Sequence, residues 1–440
     1  MDITGYITKT VPFRFRGIDF SFDLSQGLFS SADIDSGTRH LLKVFSRLLD
    51  DDAKAGKNPP MSVLDAGCGC GVIGVCAAAA IMAMNGAANG LAVRAQDRDE
   101  LARSLTAHNA GKNRIPSGVL QAYTEPLLAG HENSRWDLIL CNIPAKAGLP
   151  VLEDFVRCSA AALTPDGRVV MVAVHTLADF FRQRIASAGA QFFMEEKSAE
   201  YSVFVYGGKL PRAALEENAP IKTGKDFFKC YPFYKRTIAE CTLEKIPLRI
   251  ETVYGAPGFD TPGGDAEATV KLISRIGIEK LNLFSGMANT ALLIHEPGQG
   301  FFPCWLLEFL TRNNPEQPLP KLVLSGRNIL GLEAARHNIM AAEVEIRPAT
   351  AITPELGMRQ KFSFIAAFPE LIPQSLLPKE SDQIRTLWTA LPALLSAGSV
   401  FIAGFSSVNA ERFDRVKPSG FSRLGDIKRK GFRALGYVFS

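Results

Sequence analysis

The sequence predicts an α/β protein made of two tandem copies of one domain, each with a largely parallel sheet, and three observations carry that reading. Residues 62–206 alternate short apolar runs with helix-forming stretches. The order of features in the first half returns in the second at a nearly constant separation, and an apolar strand runs directly into a glycine-rich loop and a helix. At 440 residues the chain exceeds the roughly 100–200 residues of a typical domain, so two or three domains are expected. Hydrophobic residues at 47% and charged residues at 21% exclude a disordered or collagen-like chain. The longest apolar run, residues 75–84, falls well short of the ~18–20 residues of a membrane span. The start has no apolar signal core, so a cytoplasmic protein is expected.

Taken in order, residues 11–24 (VPFRFRGIDFSFDL) alternate apolar and polar positions as a half-exposed hairpin does. Residues 27–42 (GLFSSADIDSGTRHLL) lead into a helix. Ser62-Val63-Leu64 is a strand followed by an Ala-rich helix, and GLAVRAQD, ELARSLTAHNA, WDLILCN, VLEDFVRCSAAL, GRVVMVAV, LADFFRQRIASAG and YSVFVYGG continue the alternation. A Pro-, Lys- and Glu-bearing stretch over residues 210–224 reads as a linker. The domains are therefore expected at 1–210 and 246–440, with a linker carrying a basic and aromatic segment at 211–245. The repeat pairs residues 11–15 with 246–250, 27–42 with 258–273, 96–109 with 325–338, 137–144 with 362–369 and 162–170 with 393–401. The separations are 235, 231, 229, 225 and 231 residues. Two unrelated α/β domains would not hold so steady an offset.

Charge and cysteine usage narrow the partners. The net charge of +4 divides into −1 over residues 1–210 and +5 over the remainder, so the second half is the basic one. The eight cysteines, at 68, 70, 76, 141, 158, 230, 241 and 304, show no CxxC spacing and read as reduced, packed thiols. Cys68 and Cys70 lack the His or second pair that would complete a zinc site, so no metal is expected.

The chemistry concentrates in three places. Asp65-Ala66-Gly67-Cys68-Gly69-Cys70-Gly71 follows the strand, and glycines at alternate positions let the backbone turn tightly and approach a ligand. The helix that follows favours an anionic group at its N-terminus. Asp97 stands at the end of the next apolar run, where an acid can accept both ribose hydroxyls, although an Asp before a helix is also a common N-cap. Asn142-Ile143-Pro144-Ala145 closes the strand that starts at Asp137, and an Asn-x-Pro by itself is usually a turn.

Together, in this order, these elements resemble class I S-adenosylmethionine-dependent methyltransferases. DAGCGCG is similar to their cofactor loop, Asp97 to their ribose acid, and NIPA to the Asn-Pro-Pro-aromatic tetrad of amino-group methyltransferases. Residues 27–42 resemble the segment before the loop in ribosomal RNA guanine-N2 methyltransferases of the "methyltransferase small" group, themselves tandem duplications. The resemblance implies a Rossmann-like class I fold in duplicate and S-adenosyl-L-methionine as cofactor, bound by Asp65, Gly67, Gly69, Gly71 and Asp97. It implies that Asn142, Ile143 and Pro144 position the substrate amine, with guanine N2 of structured ribosomal RNA as the expected target. Phe29 is a candidate base-stacking platform, with a core role equally open, and Lys146 a candidate for an RNA phosphate or a substrate carboxylate. A small-molecule or protein-amide substrate, and a non-catalytic RNA-binding module, are the alternatives.

The sequence departs from that family in two ways. The tetrad has Ile143 for the first Pro and Ala145 for the aromatic. The family usually keeps the second copy active, whereas here residues 284–290 (FSGMANT) align with the loop and put Phe284 for Asp65, Ala288 for Gly69 and Thr290 for Gly71. Gly326 replaces Asp97 and Ala367 replaces Asn142. The second copy is expected to be degenerate. Residues 222–236 (KTGKDFFKCYPFYKR) and 412–433 mix basic and aromatic residues, as a surface for single-stranded RNA would.

Overall fold

The computed structural model describes residues 3–29, 31–86, 90–131, 134–207, 227–281, 283, 291–358, 360–379 and 381–440. The chain divides into two units, Met1–Tyr234 and Lys235–Ser440.

The first unit opens with a hairpin of β1 (Lys9–Phe15) and β2 (Ile18–Leu24). Arg16 and Gly17 turn it at φ 48° and 78°, the double positive φ whose twist suits a two-residue hairpin loop. α1 (Ser36–Lys54) is capped by Asp35, whose carboxylate accepts the Thr38 N–H. There follow β3 (Ser62–Ala66), α2 (Val72–Asn85), β4 (Ala92–Asp97), α3 (Glu100–Lys112), β5 (Leu120–Thr124), β6 (Trp136–Asn142), α4 (Leu149–Ala161), β7 (Leu163–Val174), α5 (Ala178–Ser187), β8 (Gln191–Lys197), β9 (Tyr201–Gly207) and the short α6 (Phe227–Cys230). The seven strands lie in the order β5-β4-β3-β6-β7-β9-β8. The first five in that order are parallel, and β9 runs antiparallel to both its neighbours. β3 is central and buried from Val63 to Ala66, which explains its unbroken apolar run. The strand order turns back between β3 and β6, so a ligand crevice is expected at their carboxyl ends.

The second unit repeats this plan. A hairpin of β10 (Lys235–Leu243) and β11 (Ile246–Val253) precedes α7 (Gly264–Ile276), β12 (Ala291–His295), α8 (Phe301–Asn313), β13 (Lys321–Gly326), α9 (Ile329–Asn338), β14 (Val344–Pro348), β15 (Phe362–Ala367), α10 (Gln383–Leu394), β16 (Leu395–Ser406), α11 (Ser407–Arg415), β17 (Phe421–Arg429) and β18 (Phe432–Phe439). The order β14-β13-β12-β15-β16-β18-β17 matches the first sheet strand for strand.

One internal device is shared in detail. Asn109 accepts from the Asp23 N–H and donates to the carbonyls of Asp23 and Cys70, tying hairpin to loop. Asn338 does the same with Glu251 and Gln299. His108 meets Asp23 at 2.7 Å, and His337 meets Glu251 at 2.7 Å.

This correspondence corrects the sequence alignment in several places. Glu251 is the counterpart of Asp23, so residues 246–250 match β2 and not residues 11–15 of β1. The expected linker 211–245 holds three different things. Residues 211–226 lie outside the described residues, 227–234 belong to the first unit, and Lys235 begins the second hairpin. Residues 284–290 also lie outside the described residues, and the register shows that the second loop is elsewhere. β12 pairs with β13 as β3 pairs with β4, which places Ile294 at Asp65 and the loop at residues 296–300.

Candidate active site in the first unit

The carboxyl ends of β3, β4, β5 and β6 bring the predicted residues to one edge of the sheet, since Ala66 pairs with Gln96, Asp97 with Thr124 and Asp65 with Leu140. The loop after β3 is pinned to β4: the N–H groups of Gly67 and Cys68 donate to the Gln96 carbonyl at 2.8 and 3.0 Å. Gly67, Gly69 and Gly71 have φ of 80°, 54° and 82°, a region costly for any other residue. They serve different ends. A Cβ on Gly69 would meet nothing within 4 Å, so the backbone there faces open space, whereas one on Gly71 would lie 2.9 Å from Thr106. Gly71 thus lets α2 and α3 pack closely.

Asp97 faces this loop. Its Oδ2 accepts the Gly69 N–H at 3.1 Å and its Oδ1 the Asp99 N–H at 3.0 Å, leaving further lone pairs on both oxygens. The N-cap of α3 is Asp99, not Asp97, which removes the simpler explanation for Asp97. Burial, and then Asp99 nearby, push the Asp97 carboxyl above its ordinary value. Asp65 is wholly buried. Its Oδ2 accepts the Gly74 N–H of α2 at 2.8 Å while its Oδ1 has no partner among the described residues. Burial raises this carboxyl to about 7. The cysteines of the loop are buried, Thr106 donates to Cys68 Sγ at 3.3 Å, and burial pushes Cys70 up to about 12.

Asn142 ends β6 with its amide nitrogen fixed. Nδ2 donates to Asp35 Oδ2 at 2.9 Å and to Thr38 Oγ1 at 3.0 Å. A carboxylate only accepts, so the nitrogen must be the atom facing Asp35 and the Asn142 oxygen must point the other way. The Tyr201 hydroxyl donates to the second Asp35 oxygen at 3.1 Å. Gly37 is obligatory beside them, because a Cβ there would sit 2.8 Å from Asp35 Oδ2 and 2.9 Å from the Tyr201 ring. Ile143 is buried and donates its N–H to Val172 at 3.0 Å; the Pro144 carbonyl closes a turn onto Ala147. Lys146 is exposed, and Phe29 is 74% exposed, which removes its core reading. Sequence reasoning missed Asp35, Thr38 and Tyr201. The signal for Asp35 and Thr38 was the polar start of α1, which reads equally well as an ordinary cap, and nothing local pointed to Tyr201 at the start of β9.

The segment 227–234 also departs from expectation. Phe228 and Tyr234 are buried, and the rings of Phe227, Tyr231, Phe233 and Tyr234 pack on one another at 4.6 to 6.1 Å. Phe228 and Tyr234 are thereby closed to an RNA base, while Phe227, Tyr231 and Phe233 stay half-buried. Lys222 and Lys225 lie outside the described residues.

In the second unit the equivalent crevice is filled by its own side chains. Glu296, at φ 56°, stands where Gly67 does, and its carboxylate accepts the Arg327 N–H at 2.8 Å. Its other oxygen lies 2.9 Å from where Gly326, the counterpart of Asp97, would carry a Cβ. Gly298 and Gly300 keep positive φ of 58° and 106°. β15 pairs with β16 as β6 pairs with β7, and that register puts Phe368, not Ala367, in the place of Asn142. The Phe368 ring packs on Phe302 at 4.9 Å. Thr269, the counterpart of Thr38, has a buried hydroxyl with no partner among the described residues.

Residues 19–204 match the family described as Methyltransferase small domain. The first unit is similar to methyltransferase small domains over these residues. The chain is 29% identical over 164 residues to ribosomal RNA small subunit methyltransferase C of Chromohalobacter salexigens, covering 36% of this chain and 44% of that protein. It is 28% identical over 165 residues to the uncharacterized protein YbxB of Bacillus subtilis, covering 37% of this chain and 73% of that protein. Among solved structures, the T. thermophilus 16S rRNA N2 G1207 methyltransferase (RsmC), in complex with AdoMet and guanosine, matches 99% of this chain and 100% of its own. Its TM-score is 0.57 at 13% identity. That likeness extends the shared fold from the methyltransferase unit to the duplicated whole. Among the described residues no group of three or more His, Cys, Asp or Glu is placed to hold a metal, and no helix is long and apolar enough to cross a membrane.

Proposed function

We propose that the methyltransferase unit transfers a methyl group from S-adenosylmethionine to an exocyclic amine, with guanine N2 of ribosomal RNA as the target. The observation that carries this reading is Asn142, whose nitrogen is held by Asp35 and Thr38 so that its oxygen is presented as an acceptor at the mouth of the sheet. The cofactor fits the residues present. The open backbone at Gly69, the carboxylate of Asp97 and the unpartnered Asp65 oxygen beneath the loop suit a ligand with hydroxyls and a cationic group.

Bound there, S-adenosylmethionine supplies an electrophilic methyl on a sulfonium. What the chain must add is alignment. Asn142 Oδ1 and the Ile143 carbonyl accept the two N–H groups of the amine, which turns its lone pair toward the methyl. With the cofactor bound, an amine held by these two acceptors would take the methyl on its lone pair as the sulfonium gives it up, and would then release its proton to water. Orientation of this kind is worth ~7–11 kcal/mol, so no buried base is required. The change from Pro to Ile at 143 keeps the backbone carbonyl. The missing aromatic at Ala145 leaves exposed Phe29 as the platform for the base, and exposed Lys146 as a contact for a phosphate. The identity to the ribosomal RNA small subunit methyltransferase C supports RNA over a small molecule or a protein amide.

The test is incubation with labelled S-adenosylmethionine and unmodified ribosomal RNA. Label should appear as N2-methylguanine and vanish with Asn142→Ala. Label that appears only in a metabolite or protein fraction refutes the RNA assignment.

A further inference from the structure

We propose that residues 227–234, which follow the methyltransferase small domain in sequence, form the wall that receives the adenine ring of the cofactor. The inference rests on the cofactor reading above and adds a part of the site that lies outside residues 19–204.

The link between β5 and β6, residues 125–135, contains no helix among its described residues. In the second unit the corresponding link carries its own 3-10 turn, Pro354–Gly357, which packs on α10. In the first unit the 3-10 turn that packs on α4, the counterpart of α10, is Pro232–Tyr234, from beyond the sheet. The segment 227–234 therefore covers a face that the crossover leaves bare.

It does not fill that face. A cavity of about 440 Å³ remains, with Leu127, Val151 and Phe155 on one side and Tyr231, Phe233 and Tyr234 on the other. Asp154, Arg157 and Lys229 complete the lining, so the cavity has the size of a small-ligand pocket with both apolar and charged walls. Leu127, which lines the cavity, links it to the cofactor loop. Leu127 Cδ2 lies 3.9 Å from where a Cβ on Gly67 would be, and Gln96, one residue before Asp97, donates to the Leu127 carbonyl. Tyr234 is buried within electrostatic reach of Arg98, one residue after Asp97. Tyr231 ties the segment down by accepting the Gly130 N–H at 2.9 Å. A ligand whose ribose reached Asp97 would thus have its base beside Leu127, facing a cluster of rings already packed in place. A flat apolar wall suits a purine.

The experiment uses the full chain. Photolabelling with the 8-azidoadenosyl analogue of S-adenosylmethionine, followed by peptide mapping, should mark the peptide containing residues 227–234. Label confined to other peptides overturns the proposal, and this result does not depend on any variant folding. In parallel, Phe233→Ala should weaken S-adenosylhomocysteine binding roughly tenfold by calorimetry, the scale of one lost ring contact with a base. Asp97→Ala separates the two readings. If it abolishes binding while Phe233→Ala leaves the affinity unchanged, the cofactor site stands and the wall is refuted. If the unaltered chain binds no S-adenosylhomocysteine, both fall.

Discussion

Asp65→Asn probes the most strained group in the methyltransferase unit. The carboxyl is fully buried, one oxygen holds the Gly74 N–H and the other holds nothing, and the group titrates near pH 7 instead of 3.8. The folded state then binds a proton that the unfolded state has released, so between about pH 4 and 7 stability falls as pH rises. It is fully present below 3.8 and lost through the folded value of about 7. A displacement of roughly three pKa units corresponds to about 4 kcal/mol of stability lost by pH 8. Asparagine keeps an oxygen for Gly74 and never ionises, although its buried NH2 lacks an acceptor, at a cost of about 1–3 kcal/mol. The cofactor-free variant should therefore be more stable than the natural chain by about 1–3 kcal/mol at pH 8 and within about 1 kcal/mol of it at pH 5. Because the chain has two units, a global melting curve mixes their responses. Hydrogen exchange of peptides spanning residues 62–85, corrected for intrinsic rates, reads the local effect. Protection that is independent of pH in the natural chain, or that falls equally in Asp65→Asn, refutes the reasoning.

Four further outcomes follow from the same geometry. Gly37→Ala forces a Cβ against Asp35 and Tyr201, so the anchor of Asn142 shifts. Turnover should fall roughly 10- to 100-fold with cofactor affinity unchanged, measured by methylation kinetics beside calorimetry. Asn109→Ala removes three hydrogen bonds between the first hairpin and the glycine loop and should cost the first unit about 2–4 kcal/mol, seen as a lowered calorimetric transition. Asn338→Ala should do the same to the second. Thr269→Val replaces a buried hydroxyl without a partner and should raise the midpoint of the second unit by the equivalent of about 1 kcal/mol in denaturant melts. Cys68, Cys70 and Cys76 are buried, with their thiols pushed well above the ordinary range, so maleimide at pH 8 should leave them unlabelled until the chain unfolds.

Much of this was legible in the sequence because it is written locally. A buried parallel strand is an unbroken apolar run, and the turn after β3 demands positive φ at three positions, which the glycines announce. What was not legible depends on partners far along the chain. The His-Asn pair late in α3 and at the end of α9 is plain as an echo, but its meaning waits on Asp23, 86 residues before Asn109. Asn142 stands out at the end of β6, yet the residue that orients it is 107 positions upstream. The second glycine loop was misplaced because Glu296 occupies the left-handed region without being glycine, which hides the pattern. The aromatic residues of 227–234 suggested a stacking surface. The burial of Phe228 and Tyr234 goes with the helix-free link between β5 and β6, a property of another part of the chain.

The two units also show what a working crevice costs the fold that carries it. The first keeps a carboxyl buried without a full set of partners, a backbone open at Gly69 and an Asn oriented through a polar network. Each lowers stability unless a ligand completes it. The second has replaced the acid and the amide with packing and put Glu296 where Gly67 stands, while the backbone at Gly298, the counterpart of Gly69, stays open. Ile294 takes the place of the buried acid, Glu296 fills the crevice and satisfies Arg327, and Phe368 substitutes a ring contact for the amide. The Thr269 hydroxyl survives as a buried group with no partner among the described residues. Reversing Phe368 alone would restore an amide facing a crevice still blocked by Glu296. Reversing Glu296 alone would open a space with neither the acid at 294 nor the one at 326. The substitutions are mutually reinforcing, which is why this half of the chain persists as a folded domain with a closed crevice.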